Sequence, residues 1–249
     1  MKSIQLLLLF VCLTTLSVSD GPYKKVIHTT DPNAKCLDGS PPILYVHEGS
    51  DRTRIVIYFV GGGLCSGLTL DEAIEDCYKR SKTNLGSSSI DWPDTLDVKG
   101  FLSANDPTNK FANWTKIIIG YCDGSLHQGN RKNPISYKGT NLYFRGAVNT
   151  RANIKWIQQH YDLHSAQQVV VSGTSAGGVA TFLWTNYIRL LVANSNNVVA
   201  IPDSGVFLNY TTYQTNQDYV NKIAVNNFKL ANIDEKTPLA LCNLRYKGE

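Results

Sequence analysis

The chain has 249 residues, 43% hydrophobic and 18% charged, with 24 Lys and Arg against 20 Asp and Glu for a formal net charge of +4. This is the composition of a folded globular protein and not of a disordered one. The positive charge is mild and dispersed, with no basic block and no basic–aromatic interleaving, which argues against nucleic acid as a partner.

Residues 1–2 (MK) give a basic start, residues 4–13 (IQLLLLFVCL) an apolar run, and Ser17, Val18 and Ser19 a small-residue stretch before the polar Asp20. That order reads as a signal peptide over residues 1–19, removed on secretion. An N-terminal membrane anchor is the alternative, disfavoured by the shortness of the apolar run. No later run is long enough to span a bilayer, so no stable membrane anchor is expected. Residues 20–249, about 230 in all, make one domain with room for a substantial core.

Residues 54–60 (RIVIYFV) form an unbroken β-branched and aromatic run that stops at Gly61-Gly62-Gly63. This predicts a buried strand feeding a loop. Residues 70–80 suggest a short helix and residues 86–93 a loop. Residues 116–121 (KIIIGY) predict a second strand, ending at Cys122-Asp123-Gly124. Residues 145–160 carry Val148, Ala152, Ile154, Trp156 and Ile157 at near-helical spacing. A third strand follows over 168–172 (QVVVS), then a helix over 176–193, then a fourth strand over 197–201 (NVVAI). A last helix is expected over 215–228. Strands alternating with helices predict an α/β fold with a mostly parallel sheet, its ligand site at the carboxyl ends of the strands.

Of the six cysteines, Cys12 falls in the leader, and Cys36, Cys65, Cys77, Cys122 and Cys242 remain. In an oxidising compartment these pair, and an odd number leaves one over. No CxxC or His-rich cluster suggests a metal site. Asn113-Trp-Thr and Asn209-Tyr-Thr fit the N-glycosylation sequon.

Gly173-Thr174-Ser175-Ala176-Gly177-Gly178 fits the G-x-S-x-G nucleophile elbow, with an apolar strand directly before it and a helix directly after. Small neighbours leave room for a strained turn that presents the serine. The Ala176 N–H, at the start of the helix, then faces a developing oxyanion, and the helix dipole adds to that field. Gly61, Gly62 and Gly63 suit a loop whose backbone N–H groups complete an oxyanion hole; a plain turn is the alternative, and no Walker lysine or G-x-G-x-x-G spacing supports phosphate binding. This chemistry needs no cofactor. The expected chain order is serine, acid, histidine. The five histidines, His28, His47, His127, His160 and His164, all precede Ser175. Asp203 ends a strand but has no later histidine to orient, and His127 as base would require a different chain order.

Five ordered blocks resemble the pectin acetylesterase and Notum family of secreted carboxylesterases: Cys36-Leu-Asp-Gly-Ser-Pro, Tyr58 to Cys65, Gly120 to Ser125, Gly173 to Gly178, and Asp203-Ser-Gly-Val-Phe-Leu. The resemblance implies an α/β-hydrolase-like fold with its last strands missing from this chain. It implies a serine esterase that removes O-acyl groups, acetyl above all, from a carbohydrate such as pectin. It assigns Ser175 as nucleophile and Gly62, Gly63 and Ala176 as oxyanion donors. It also implies Cys65–Cys77 and Cys36–Cys122 disulfides, leaves Cys242 without a partner, and makes Asp203 structural, with the triad acid and histidine beyond this chain. Val60 and Leu64 replace the family's glutamate and tryptophan beside the glycines, and Thr174 replaces a smaller residue. These departures leave open a fatty-acyl protein deacylase, with an acylated protein as substrate. A truncated, catalytically inactive binding module is the reading from another class.

Overall fold

The computed structural model describes residues 22–208, 210–211 and 218–233. The expected leader over 1–19, the Asn209 sequon, Cys242 and the first residues of the last expected helix lie outside the described residues. The elements run β1 (Tyr23–Ile27), β2 (Ile43–His47), β3 (Asp51–Phe59), α1 (Leu70–Arg80), β4 (Thr95–Leu96), β5 (Trp114–Ile119), β6 (Ile135–Tyr137), β7 (Thr140–Leu142), α2 (Gly146–His160), β8 (Gln168–Thr174), α3 (Ala176–Arg189), β9 (Val198–Asp203) and α4 (Tyr219–Ala231). Every strand expected from an apolar run is present, with ends shifted by a few residues.

Seven strands form one sheet in the order β4-β1-β2-β5-β3-β8-β9, and β6 pairs with β7 in a separate hairpin. The half built from β5, β3, β8 and β9 is parallel. Beside β5, strands β2, β1 and β4 extend the sheet by antiparallel pairing. The sequence gives little sign of these three. They are short: β1 (YKKVI) carries two lysines and β4 has two residues, while β2 (ILYVH) is an apolar run of only four residues before His47.

The central strands are apolar throughout because both faces are covered. Ile55, Ile57 and Phe59 of β3 face a core shared with Ile154 and Ile157 of α2 and Ala180, Leu183 and Trp184 of α3. The alternate residues Val56 and Tyr58 face the other way, where Trp92, Leu96, Val98, Phe101 and Phe111 cover the sheet from a long, mostly irregular segment. One face is therefore helical and the other is closed by a loop layer of aromatics.

A smaller core forms where α1, α4 and the β6–β7 hairpin meet, around Ala73, Ile74, Leu142, Phe144 and Leu230. Helix α1 starts at a capping box, with the Thr69 hydroxyl accepting from Glu72 N–H while the Glu72 carboxylate accepts from Thr69 N–H. Cys65 is bonded to Cys77, which ties the chain after β3 to α1, and Cys36 is bonded to Cys122, which ties the chain before β2 to the end of β5. Asn227 of α4 donates to the carbonyls of Cys65 (3.1 Å) and Gly124 (2.9 Å), so α4 closes over the same loops.

Candidate active site

Strand β8 passes into α3 through Ser175, whose φ of 57° and ψ of −118° lie in a strained region for a residue with a side chain. Two glycines make the turn sterically feasible. A Cβ on Gly173 would collide with the Gly177 and Phe59 carbonyls, and one on Gly177 with the Phe59 carbonyl. The neighbouring strand fixes the turn. Ser175 N–H donates to the Asp203 carbonyl at 2.9 Å. The Thr174 hydroxyl donates to the Asp203 carboxylate at 3.0 Å and accepts from the Tyr58 hydroxyl at 2.9 Å. Ser175 is half-buried, and among the described residues its hydroxyl has no hydrogen-bond partner.

The glycine loop after β3 lies directly against this turn. A Cβ on Gly61 would sit 3.3 Å from the Ser175 Cβ and inside the Thr174 carbonyl. Gly62 and Gly63 have φ of 140° and 68°, which side-chain-bearing residues rarely adopt. Their carbonyls are held from behind. Arg80 donates to the Gly62 carbonyl (2.8 Å) and the Leu64 carbonyl (3.2 Å), and the Tyr121 hydroxyl donates to the Gly63 carbonyl (2.8 Å). The Tyr121 oxygen in turn accepts from Leu126 N–H at 2.8 Å. In a planar trans peptide the N–H points opposite to the carbonyl before it, so fixing the Gly62 and Gly63 carbonyls also aims the N–H groups of Gly63 and Leu64. Ala176 is fully buried at the start of α3, where the first turn leaves its N–H without an intrahelical acceptor. A hydroxyl on a strained turn beside such amides is an arrangement suited to acyl transfer.

Histidine is differently placed. His127 is buried, 3% exposed, and not a solvated loop residue. It stacks on Tyr121 at 4.6 Å, meets Phe59 edge-on at 5.3 Å, and its Nε2 lies 3.0 Å from the Val60 carbonyl. Facing a carbonyl, that nitrogen must carry the proton, and burial lowers the His127 pKa to about 4. His47, His160 and His164 lie at the amino ends of the parallel strands, opposite Ser175. His28 follows β1, which three strands separate from β8, roughly 19 Å at the usual strand spacing, and its Nε2 is 2.8 Å from Asn153 Oδ1. None of the five meets the serine.

The buried carboxylate nearby is Asp123, 1% exposed. It accepts from the Ser125 hydroxyl and N–H and from the Gly146 N–H at the start of α2. Burial raises its pKa to about 6 despite those bonds. Its partners anchor the loop after β5 to α2. Sequence reasoning assigned no role to Arg80 or Tyr121. Tyr121 stands inside one of the quoted blocks, whereas a basic residue in the last turn of a helix reads only as a match to the helix dipole.

A family profile described as Pectinacetylesterase matches residues 19–247. Pectin acetylesterase 5 of Arabidopsis thaliana is 34% identical over 179 residues, covering 71% of this chain and 40% of that protein. Pectin acetylesterase 7 of the same plant is 30% identical over 206 residues, covering 81% of this chain and 50% of its own length. The palmitoleoyl-protein carboxylesterase NOTUM of Drosophila melanogaster is 27% identical over 186 residues, 72% of this chain and 27% of that protein. The chain thus spans half or less of the length of these relatives. The solved structure of the Wnt deacylase Notum from Drosophila superposes with a TM-score of 0.77 at 24% identity, covering 92% of this chain and 65% of that one. That likeness bears on the fold, which is the α/β-hydrolase-like arrangement expected from the motifs.

Proposed function

Because the chain belongs to the pectinacetylesterase family, we propose that it carries the nucleophile of a secreted serine esterase that removes O-acetyl groups from a pectin-like carbohydrate. Ser175 attacks the acyl carbonyl, the N–H groups of Gly62, Gly63 and Ala176 hold the tetrahedral oxyanion, and water then releases the acid from the acyl-enzyme. The observation that carries this reading is the close packing of the glycine loop on a strained, glycine-flanked Ser175. Acetyl is favoured over a fatty acyl group because the plant pectin acetylesterases are more similar in sequence, and cover more of their own length, than the Notum relatives. Asp203 is a positioning residue for the elbow, and the general base is a group other than this chain's five histidines. Secretion accounts for the two disulfides and for a sequon at Asn113, which is exposed in the turn before β5.

The test is reaction with a fluorophosphonate, comparing wild type with Ser175→Ala. Labelling that vanishes with the substitution is the expected result wherever the general base is supplied, by a longer form of the chain or by a partner, because Ser175→Ala removes the nucleophilic oxygen. A folded wild-type protein that resists the reagent as well as Ser175→Ala does would overturn an activated serine and favour a binding module.

A further inference from the structure

We infer that the protein has a second, non-catalytic site, for an acidic sugar, in the cavity between the end of α2 and the amino ends of β1 and β3. The cavity measures about 640 Å³ and is lined by Lys24, Glu48, Arg52, Trp156, His160 and Tyr161, among others. It lies far from the candidate active site. Arg52 is at the start of β3, and the glycine loop begins nine residues later, past its other end. At ~3.3 Å per residue that is roughly 30 Å.

The lining specifies the ligand. Glu48 accepts from the Tyr161 hydroxyl on one oxygen (3.1 Å) and from Arg52 on the other (3.2 Å), and the Arg52 guanidinium lies over the Tyr161 ring, 5.8 Å from its centroid. The Arg52 side chain remains 60% exposed. Lys24 is exposed, and its amine has no hydrogen-bond or ion-pair partner among the described residues. Two cations against one carboxylate leave a net positive seat for an anion. Each Glu48 oxygen keeps a lone pair for a ligand hydroxyl. His160 stacks on Trp156 at 3.9 Å and 17°, with its Nδ1 on the Trp156 carbonyl, which leaves Nε2 as an acceptor in the neutral ring. Trp156, stacked with His160 and with His28 (6.1 Å, 23°), joins His160 and Tyr161 in lining the cavity with aromatic rings that suit the C–H groups of a pyranose. The volume is that of an organic-ligand site, ~300–1,000 Å³, and far exceeds a bare inorganic anion. An anion seat, hydroxyl acceptors and an aromatic lining in one cavity match a short run of uronate residues. The seat would hold one stretch of an acidic polysaccharide while esters elsewhere on it reach Ser175. The choice of a pectic sugar rests on the carbohydrate reading above; the fit to an anionic, hydroxyl-bearing ligand does not.

The experiment is titration calorimetry with trigalacturonate. Wild type and Ser175→Ala should bind alike. The Lys24→Gln/Arg52→Gln double variant, altered only at exposed side chains, should bind about tenfold or more weakly, a loss of ~1.4 kcal/mol. Absence of binding, or equal binding by the double variant, overturns the site. Equal binding of maltotriose overturns the preference for an acidic sugar, and full competition by inorganic phosphate reduces the cavity to a simple anion seat and overturns it as well. Hydrolysis of p-nitrophenyl acetate separates the two readings. A protein that binds trigalacturonate through Lys24 and Arg52 but hydrolyses no ester keeps this site and loses the esterase, whereas one that hydrolyses the ester but does not bind loses only this site.

Discussion

Ser175 donates its N–H to the carbonyl of Asp203, so the strained turn at the end of β8 is braced by the last residue of β9. The Asp203 carboxylate adds a second brace through the Thr174 hydroxyl and itself accepts from Ser204. A residue acting this way would tune the proposed nucleophile without touching the substrate. Asp203→Ala removes the Thr174 bond and leaves the backbone bond to Ser175. The labelling rate of Ser175 should fall about fivefold, the worth of one ordinary hydrogen bond. A fall as large as that of Ser175→Ala would instead identify Asp203 as a member of the reacting group.

Arg80 holds the glycine loop after β3, the proposed oxyanion donor, in a comparable way. Its guanidinium fixes the Gly62 and Leu64 carbonyls, and through peptide planarity it aims the Gly63 N–H. Arg80→Met releases both carbonyls, while Arg80→Lys keeps the charge and loses the forked geometry. Deleting an oxyanion donor outright costs about 10²–10³ in kcat, so misaiming one should cost less, about tenfold for Met, with partial recovery in Lys. Ester kinetics check this. The loss should appear in kcat with KM nearly unchanged, and a change confined to KM would place Arg80 in substrate binding.

The elbow glycines make a steric prediction. A Cβ at Gly177 would occupy the space of the Phe59 carbonyl, which belongs to a central strand and cannot yield. Gly139, in the β6–β7 turn, has φ of 74° but nothing within 4 Å of where its Cβ would be. Gly139→Ala should therefore cost only the left-handed backbone penalty, about 1–2 kcal/mol, read as a modest drop in thermal midpoint. Gly177→Ala should cost more than about 4 kcal/mol and reduce soluble yield sharply. Equal midpoints for the two would mean that α3 shifts away from β3 freely.

These contrasts show which parts of the molecule local sequence could carry. The runs at 54–60, 116–121 and 168–172 declare themselves because strands buried on both faces need no polar alternation. The elbow declares itself because its chemistry is confined to six consecutive residues, 173–178. Strand β2 pairs with β5, β1 with β2 and β4 with β1, a chain of antiparallel additions that no local pattern encodes. The cover over Val56 and Tyr58 is mostly irregular chain, so Trp92, Phe101 and Phe111 reveal their packing only in three dimensions. Nothing in the local sequence marks His127 as buried, because its packing between Phe59 and Tyr121 is a tertiary fact. For Arg80, helix periodicity correctly locates the element and is silent on what its last turn touches.

His127 and Asp123, both almost fully buried beside the same loop, oppose each other in acid. Burial lowers the His127 pKa from 6.5 to about 4, so between those values the unfolded chain binds the extra proton, and stability present above pH 6.5 is lost as pH falls through 4. Burial raises the Asp123 pKa from 3.8 to about 6, so over nearly the same window the folded chain binds the extra proton, and stability present below 3.8 is lost as pH rises through 6. Each shift corresponds to about 3 kcal/mol, and the two nearly cancel between pH 4 and 6. Asp123→Asn removes one side of this balance. Whatever its stability at pH 7, that variant should lose about 3 kcal/mol more than wild type on going from pH 6.5 to 4, measured by urea unfolding at each pH. Surface carboxylates titrate in both proteins and drop out of the difference. His127→Gln should reverse the sign, gaining on wild type as pH falls. Parallel profiles for all three proteins would mean that neither group is held away from water as its burial requires.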